Sequence, residues 1–130
     1  MLKKIKRYKR LATLRKRDVS KEIANSNLLE REISKNEDLI NQINDIMNHS
    51  KDGSSQKIVS SGYFKNNAQL LSTLQSQKNI ASNRNKYLLN EKRITQQKII
   101  INNLKKNKAE DKTNEYKKSY LIELENKDLN

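Results

Sequence analysis

The residues that could do chemistry are few. His49 is the single histidine, cysteine is absent, and carboxylates such as Glu30, Glu32, Glu37 and Asp38 stand on a stretch that reads as exposed helix. General acid–base catalysis needs a group held within reach of the proton it moves, in a site that tunes its affinity for that proton. Nothing in this pattern builds such a cleft. One histidine without cysteine does not assemble a zinc site, so neither metal nor cofactor is expected. A phosphate-binding loop places glycine ahead of a Lys-Ser or Lys-Thr pair, and neither Gly53 nor Gly62 precedes one. His49 could act as a ligand or base, but a histidine near a helix end more commonly interacts with the terminal carbonyls. The chain is expected not to be an enzyme.

What the sequence has in quantity is positive charge. It carries 28 Lys or Arg against 15 Asp or Glu, a net +13, and residues 1–17 hold nine bases and no acid. Such an excess favours an acidic partner: nucleic acid, anionic lipid or an acidic protein surface. Solvation of helix faces is the plainer reading of any one lysine, but it leaves the imbalance unexplained. Intrahelical partners at the right spacing are Asp18 with Lys21, Glu32 with Lys35, Glu115 with Lys118 and Glu123 with Lys127. Pairs of this kind contribute about 0.2–0.5 kcal/mol each.

Three acidic partners can be weighed. Phosphates could lie along Lys3 to Arg17, yet there is no helix-turn-helix, zinc motif or aromatic-studded sheet. The cations Lys3, Lys4, Lys6, Arg7, Lys9 and Arg10 surround most of a helical turn, which suits nonspecific contact and not sequence readout. As a membrane-surface helix, residues 1–17 offer only Leu2, Ile5, Leu11 and Leu14, a thin apolar face without Trp or Phe. No segment approaches the roughly 18 apolar residues of a membrane span, and the basic stretch lacks the apolar block of a signal peptide. A cytoplasmic protein without membrane insertion is expected.

The elements that must position these charges follow from punctuation and period. The only two glycines, Gly53 and Gly62, bound one ten-residue stretch, and proline is absent. Long helix-forming runs flank this stretch on either side, so the expected fold is all-α: two long helices forming an antiparallel coiled-coil hairpin, as one domain over 1–130. Helix 1 is expected over about 2–49, the loop over about 50–62, and helix 2 over about 63–125 with a frayed C-terminal end. Every seventh residue from Ile5 gives Ile5, Ala12, Val19, Ser26, Ile33, Ile40 and Met47, apolar at six of seven positions. The row three residues on mixes Tyr8, Leu29 and Ile43 with Arg15, Glu22 and Asn36, and a further row adds Leu11, Leu39 and Ile46. This is a heptad seam with polar interruptions.

In helix 2 the apolar stripe reads as migrating, from Leu70, Leu74, Ala81 and Leu88 to the row Ile80, Tyr87, Ile94 and Ile101. Ile58 and Val59 could pack on the hairpin tip, and Ser60 or Ser61 could cap helix 2. An antiparallel hairpin would bring Lys3–Arg17 and Lys105–Lys118 together as one basic tip. High charge and few aromatics favour disorder in isolation, but here the apolar residues are periodic and not missing.

Two stretches resemble the small coiled-coil stalk proteins of flagellar and virulence type III export, the FliJ/YscO-like family. One is Leu11-Ala-Thr-Leu-Arg followed by Leu28-Leu29-Glu30. The other is Ser61-Gly-Tyr-Phe-Lys-Asn-Asn-Ala-Gln-Leu-Leu-Ser-Thr-Leu, with the family's Ser, an aromatic three residues on, an Asn, and an apolar pair before a Thr-Leu step. The resemblance covers about residues 11–49 and 61–81, and the loop segment fits the flagellar side better. It implies a non-enzymatic central stalk of the export ATPase, in the cytoplasm beside the inner-membrane export apparatus. Its open end would enter the hexameric ATPase ring through Lys3, Lys4, Lys6, Arg7, Lys9, Arg10 and Arg15. Its export-gate contact, on the cytoplasmic domain of a membrane protein, would draw on Gln42, Ile46, His49, Leu70, Leu74, Gln77 and Ala81. His49 stands where the family favours Tyr, and Leu70, Gln77 and Ala81 also depart from its pattern. Export chaperones are further partners the resemblance implies. A coiled-coil scaffold or a nonspecific nucleic-acid binder is the alternative reading.

Overall fold

The computed structural model describes residues 1–54 and 61–129. They form two helices, α1 (Leu2–Ser54) and α2 (Ser61–Leu129), packed against each other as an all-α hairpin. Long helix is what a proline-free chain rich in Lys and Leu permits. α1 runs past His49 and includes Gly53, while Gly62 is the second residue of α2. The glycines therefore lie inside the helix ends, and the connection is shorter than 50–62. The packing expected of Ile58 and Val59, and the capping expected of Ser60 or Ser61, fall outside the described residues and side chains.

Tertiary contacts divide the chain into two units, Met1–Asn27 with Arg93–Asn130, and Leu28–Lys92. In each the helices run antiparallel. In the second unit Glu30 pairs with Lys92 at 3.1 Å, Glu32 with Arg84 at 3.5 Å, and Asn36 bonds to Ala81. In the first, Tyr8 stacks on Tyr116.

Burial in α1 follows the heptad. Both rows, from Ile5 to Met47 and from Tyr8 to Ile43, are buried or half-buried throughout, polar members included. The third row stays out: Leu11, Leu39 and Ile46 are 38%, 46% and 47% exposed.

In α2 the stripe does not migrate. Two rows are buried or half-buried from end to end: Asn67, Leu74, Ala81, Leu88, Thr95, Asn102, Ala109 and Tyr116, and Leu71, Lys78, Asn85, Lys92, Ile99, Lys106, Thr113 and Tyr120. Ile80, Tyr87 and Ile101, expected in the seam, are 67%, 62% and 50% exposed. A packed helix must keep one face on its partner, and a repeat of 3.5 residues keeps it there. Stepping from Leu88 to Ile94 would break that repeat. The seam instead continues to Thr95 and takes the polar residues that come with it. The tail beyond Lys105 is packed as far as Tyr120 and exposed from Leu121 to Leu129, although helical throughout.

The buried polar groups are met in different ways. The Asn36 amide donates to the Ala81 carbonyl at 2.7 Å across the seam. Thr113 donates back to Ala109 at 2.9 Å within its own helix. Asn85 Oδ1 is buried without a donor. The expected intrahelical ion pairs give way to others: Asp18 pairs back to Arg15, Glu115 back to Lys112, and Glu32 across to Arg84.

The seam assignment can be checked by truncation. Leu88 is 2% exposed, so Leu88→Ala should cost about 2–3 kcal/mol, toward the lower end for leucine truncation. Ile80→Ala and Ile101→Ala should stay within about 0.5 kcal/mol of the parent. Thermal unfolding followed by circular dichroism decides, and a larger loss from Ile80 or Ile101 than from Leu88 would reject this seam.

Candidate functional site

The unit containing Met1–Asn27 and Arg93–Asn130 concentrates the charge. It holds 19 Lys or Arg against eight Asp or Glu, a net +11, whereas Leu28–Lys92 holds nine against seven, a net +2. Its helices are joined by the Tyr8–Tyr116 stack, with centroids 5.5 Å apart and rings inclined by 18°. The Lys4 ammonium lies 5.4 Å from the Tyr116 ring centre, within cation–π range. Aromatic packing here holds together two segments that repel each other by charge.

Of the cations expected to enter the ring, Lys3, Lys4, Lys6, Arg7, Lys9 and Arg10 are exposed. Arg15 is half-buried in the seam and ion-paired to Asp18 at 3.8 Å. Heptad arithmetic anticipates this, since Arg15 is seven residues after Tyr8.

Grooves flank the seam of this unit on its two sides, and they differ in charge. One is lined by Lys9, Lys16 and Lys117 together with Glu110. The other, of about 320 Å³, is lined by Arg15, Lys105, Lys108 and Lys112 over Tyr8, Leu11 and Ala109, with no carboxylate. The sequence placed Lys105–Lys118 at the basic tip without singling out these three lysines. The signal was present: Lys105 and Lys112 are seven apart, in the row that borders the seam.

The residues expected to meet the export gate lie in the other unit and divide into two kinds. Gln42, Ile46, His49, Leu70 and Gln77 are exposed, while Leu74 and Ala81 are 7% and 4% exposed and form the seam. His49 does not end its helix, which continues to Ser54. The ion pair between Glu32 and Arg84 sets the row containing Glu32, Leu39 and Ile46 beside the row containing Leu70, Gln77 and Arg84. Leu39, Ile46 and Leu70 thus share one flank of the hairpin, each 45–47% exposed. Leu39 was not among the expected gate residues, although it stands seven residues before Ile46.

Among the described residues no cluster of three or more His, Cys, Asp or Glu could hold a metal ion. Nor is any helix there long and apolar enough to cross a membrane.

The aromatic clamp yields a local prediction. Tyr116→Leu keeps apolar bulk but removes the ring stack and the cation–π contact, at a cost of about 1 kcal/mol. Amide hydrogen exchange in segments 3–20 and 105–120 should accelerate severalfold, with segment 30–45 unchanged. Equal acceleration in both places would mean that the clamp does not act locally. Comparison of the chain with protein-family models, curated proteins and solved structures gives no match.

Proposed function

We propose that the chain is a non-enzymatic central stalk of a type III protein export ATPase, of the flagellar kind. The single observation that carries this reading is the charge division, +11 in the unit built from both chain-end segments against +2 in the unit between them. A cationic end of this kind is steered into a ring whose lumen is acidic, and docks faster for it. The resemblance at Leu11–Glu30 and Ser61–Leu74 supports the identity of that ring as a hexameric export ATPase. The exposed flank carrying Ile46 and Leu70, with Gln42, His49 and Gln77, would then meet the export gate, and Leu74 and Ala81 would support that surface from beneath. Export chaperones are further partners on this reading, and the protein works in the cytoplasm beside the inner-membrane export apparatus.

In this account the polar seam contributes to mechanism. A stalk seated in a ring that changes shape at each hydrolysis step must transmit torque without melting. The Asn36 amide, bonded across the seam to the Ala81 carbonyl, fixes one register at the cost in stability that polar seam positions carry.

The test is affinity capture from native cytoplasm with the tagged full chain, followed by assay of any recovered ATPase with and without added protein. Recovery of a hexamer-forming ATPase whose turnover rises is the expected result. Lys6→Glu, Arg7→Glu and Arg10→Glu combined should abolish the rise without loss of helicity, since all three side chains are exposed. Recovery of nucleic acid alone, with affinity falling steeply with salt, would replace the stalk by a nonspecific nucleic-acid binder. Recovery of a partner with no effect on any ATPase would leave a scaffold.

A further inference from the structure

Leu11 sits where two cationic surfaces of the same unit meet. On one side it lines the carboxylate-free groove with Lys105, Lys108 and Lys112. On the other it joins Leu14 in a second shallow groove edged by Lys3, Lys6, Arg7 and Arg10. Leu11 and Leu14 are 38% and 48% exposed, and at a spacing of three they form one apolar step on the helix surface. The arrangement is an apolar ridge with positive charge along both margins.

We propose that this ridge and groove dock an acidic amphipathic helix of a protein partner. Its apolar face would seat on Leu11 and Leu14, and its flanking carboxylates would meet Lys105, Lys108 and Lys112. The proposal rests on the reading that the cation-rich end docks a protein, but not on that protein being an ATPase.

Spacing selects a helix. Lys105, Lys108 and Lys112 are three and four residues apart, which at 1.5 Å per residue is about 4.5 and 6 Å along α2. Asp or Glu at the same intervals on a helix laid along the groove would meet a lysine at each turn. A phosphate chain would satisfy the cations but leave Leu11 and Leu14 uncovered. Competition from within the chain is slight. Among the described residues the ion pairs touching this surface are Arg15–Asp18 and Lys112–Glu115, at 3.8 and 3.5 Å and partly exposed. Pairs of that kind are worth little and yield readily to a better partner.

The test uses the full chain and a fluorescent synthetic helix with Leu at i, i+3 and i+7 and Glu on the flanking positions. Binding is followed by anisotropy at about 0.15 M salt, where charges beyond roughly 8 Å are screened. A scrambled peptide of the same composition and a single-stranded oligonucleotide serve as comparators. The amphipathic peptide should bind at least tenfold more tightly than either. Leu11→Asn with Leu14→Asn, and separately Lys105→Gln with Lys108→Gln and Lys112→Gln, should each weaken it tenfold or more. Lys35→Gln with Lys65→Gln and Lys86→Gln, an equal loss of charge elsewhere, should leave it unchanged.

Location is read independently of folding energetics, because the chain has no native cysteine. A benzophenone attached at Lys108→Cys should capture the peptide, and one at Lys86→Cys should not. Equal binding of the scrambled peptide, tighter binding of the oligonucleotide, or capture only at Lys86→Cys would overturn the proposal. Peptide binding and ATPase stimulation are measured separately, so this inference and the stalk reading fail independently.

Discussion

Two helices that pack along their length must each turn the same face inward at every turn, and here a repeat of 3.5 residues keeps that face in place. The rest of this fold depends on that constraint. It decides what is buried even where side-chain chemistry argues otherwise, because leaving the repeat would unpack the turns beyond. In α2 the repeat carries Lys78, Asn85, Lys92 and Lys106 into the seam, while the isoleucines at 80 and 101 remain exposed. Continuity outweighs local hydropathy. A lysine in a seam can lay its methylenes along apolar surface and still bring its ammonium to water or to an acid, and Lys92 reaches Glu30 in this way. The local cost is therefore smaller than the residue type suggests.

The polar seam residues do unequal things. Asn36 reaches across to a backbone carbonyl 45 residues away, which ties one register of α1 to one register of α2. Thr113 returns its hydroxyl to its own helix and says nothing about its partner. Asn85, with a buried oxygen lacking a donor, is a net loss of the kind that costs about 1–3 kcal/mol. Between them the hairpin trades cohesion for alignment. Small seam residues such as Ala81 and Ala109 offset part of that loss, being 4% and 3% exposed at points where a bulky side chain would hold the helices apart.

This explains what could and could not be read from the chain. The helices and their α1 seam were legible, because the row from Ile5 to Met47 is mostly apolar and its polar neighbours Arg15, Glu22 and Asn36 share its phase. The α2 seam was not. Its rows average too polar to stand out, and the brighter row of Ile80, Tyr87, Ile94 and Ile101 lies one residue away. Extending Leu74, Ala81 and Leu88 by sevens, without regard to polarity, would have found it. α1 and α2 run a few residues past the expected bounds for a related reason. Glycine weakens a helix by about 1 kcal/mol relative to alanine but does not forbid it, so Gly53 and Gly62 remain within helical turns. At the candidate site, the charge run over 1–17 made part of the cation-rich unit legible. The pairing of Arg15 with Asp18, and the contribution of Lys105, Lys108 and Lys112 to one groove, depend on how the helices face each other.

The same geometry gives the charge its meaning. Nineteen bases against eight acids in one unit impose self-repulsion, which destabilises a compact state. Against it this unit sets the Tyr8–Tyr116 stack, Lys4 over the Tyr116 ring, and the buried Ile5, Ala12 and Ala109. Stability alone would favour neutral or alternating charge on its outer faces, which the other unit approaches with nine bases and seven acids. Salt would ease the repulsion in the first unit, and would equally weaken the acidic docking proposed above. On that proposal, carboxylates laid against this cationic unit would relieve the repulsion. If the proposed docking occurs, binding and consolidation of this unit are coupled: carboxylates that neutralise the groove would lower the repulsion its seam has to hold against.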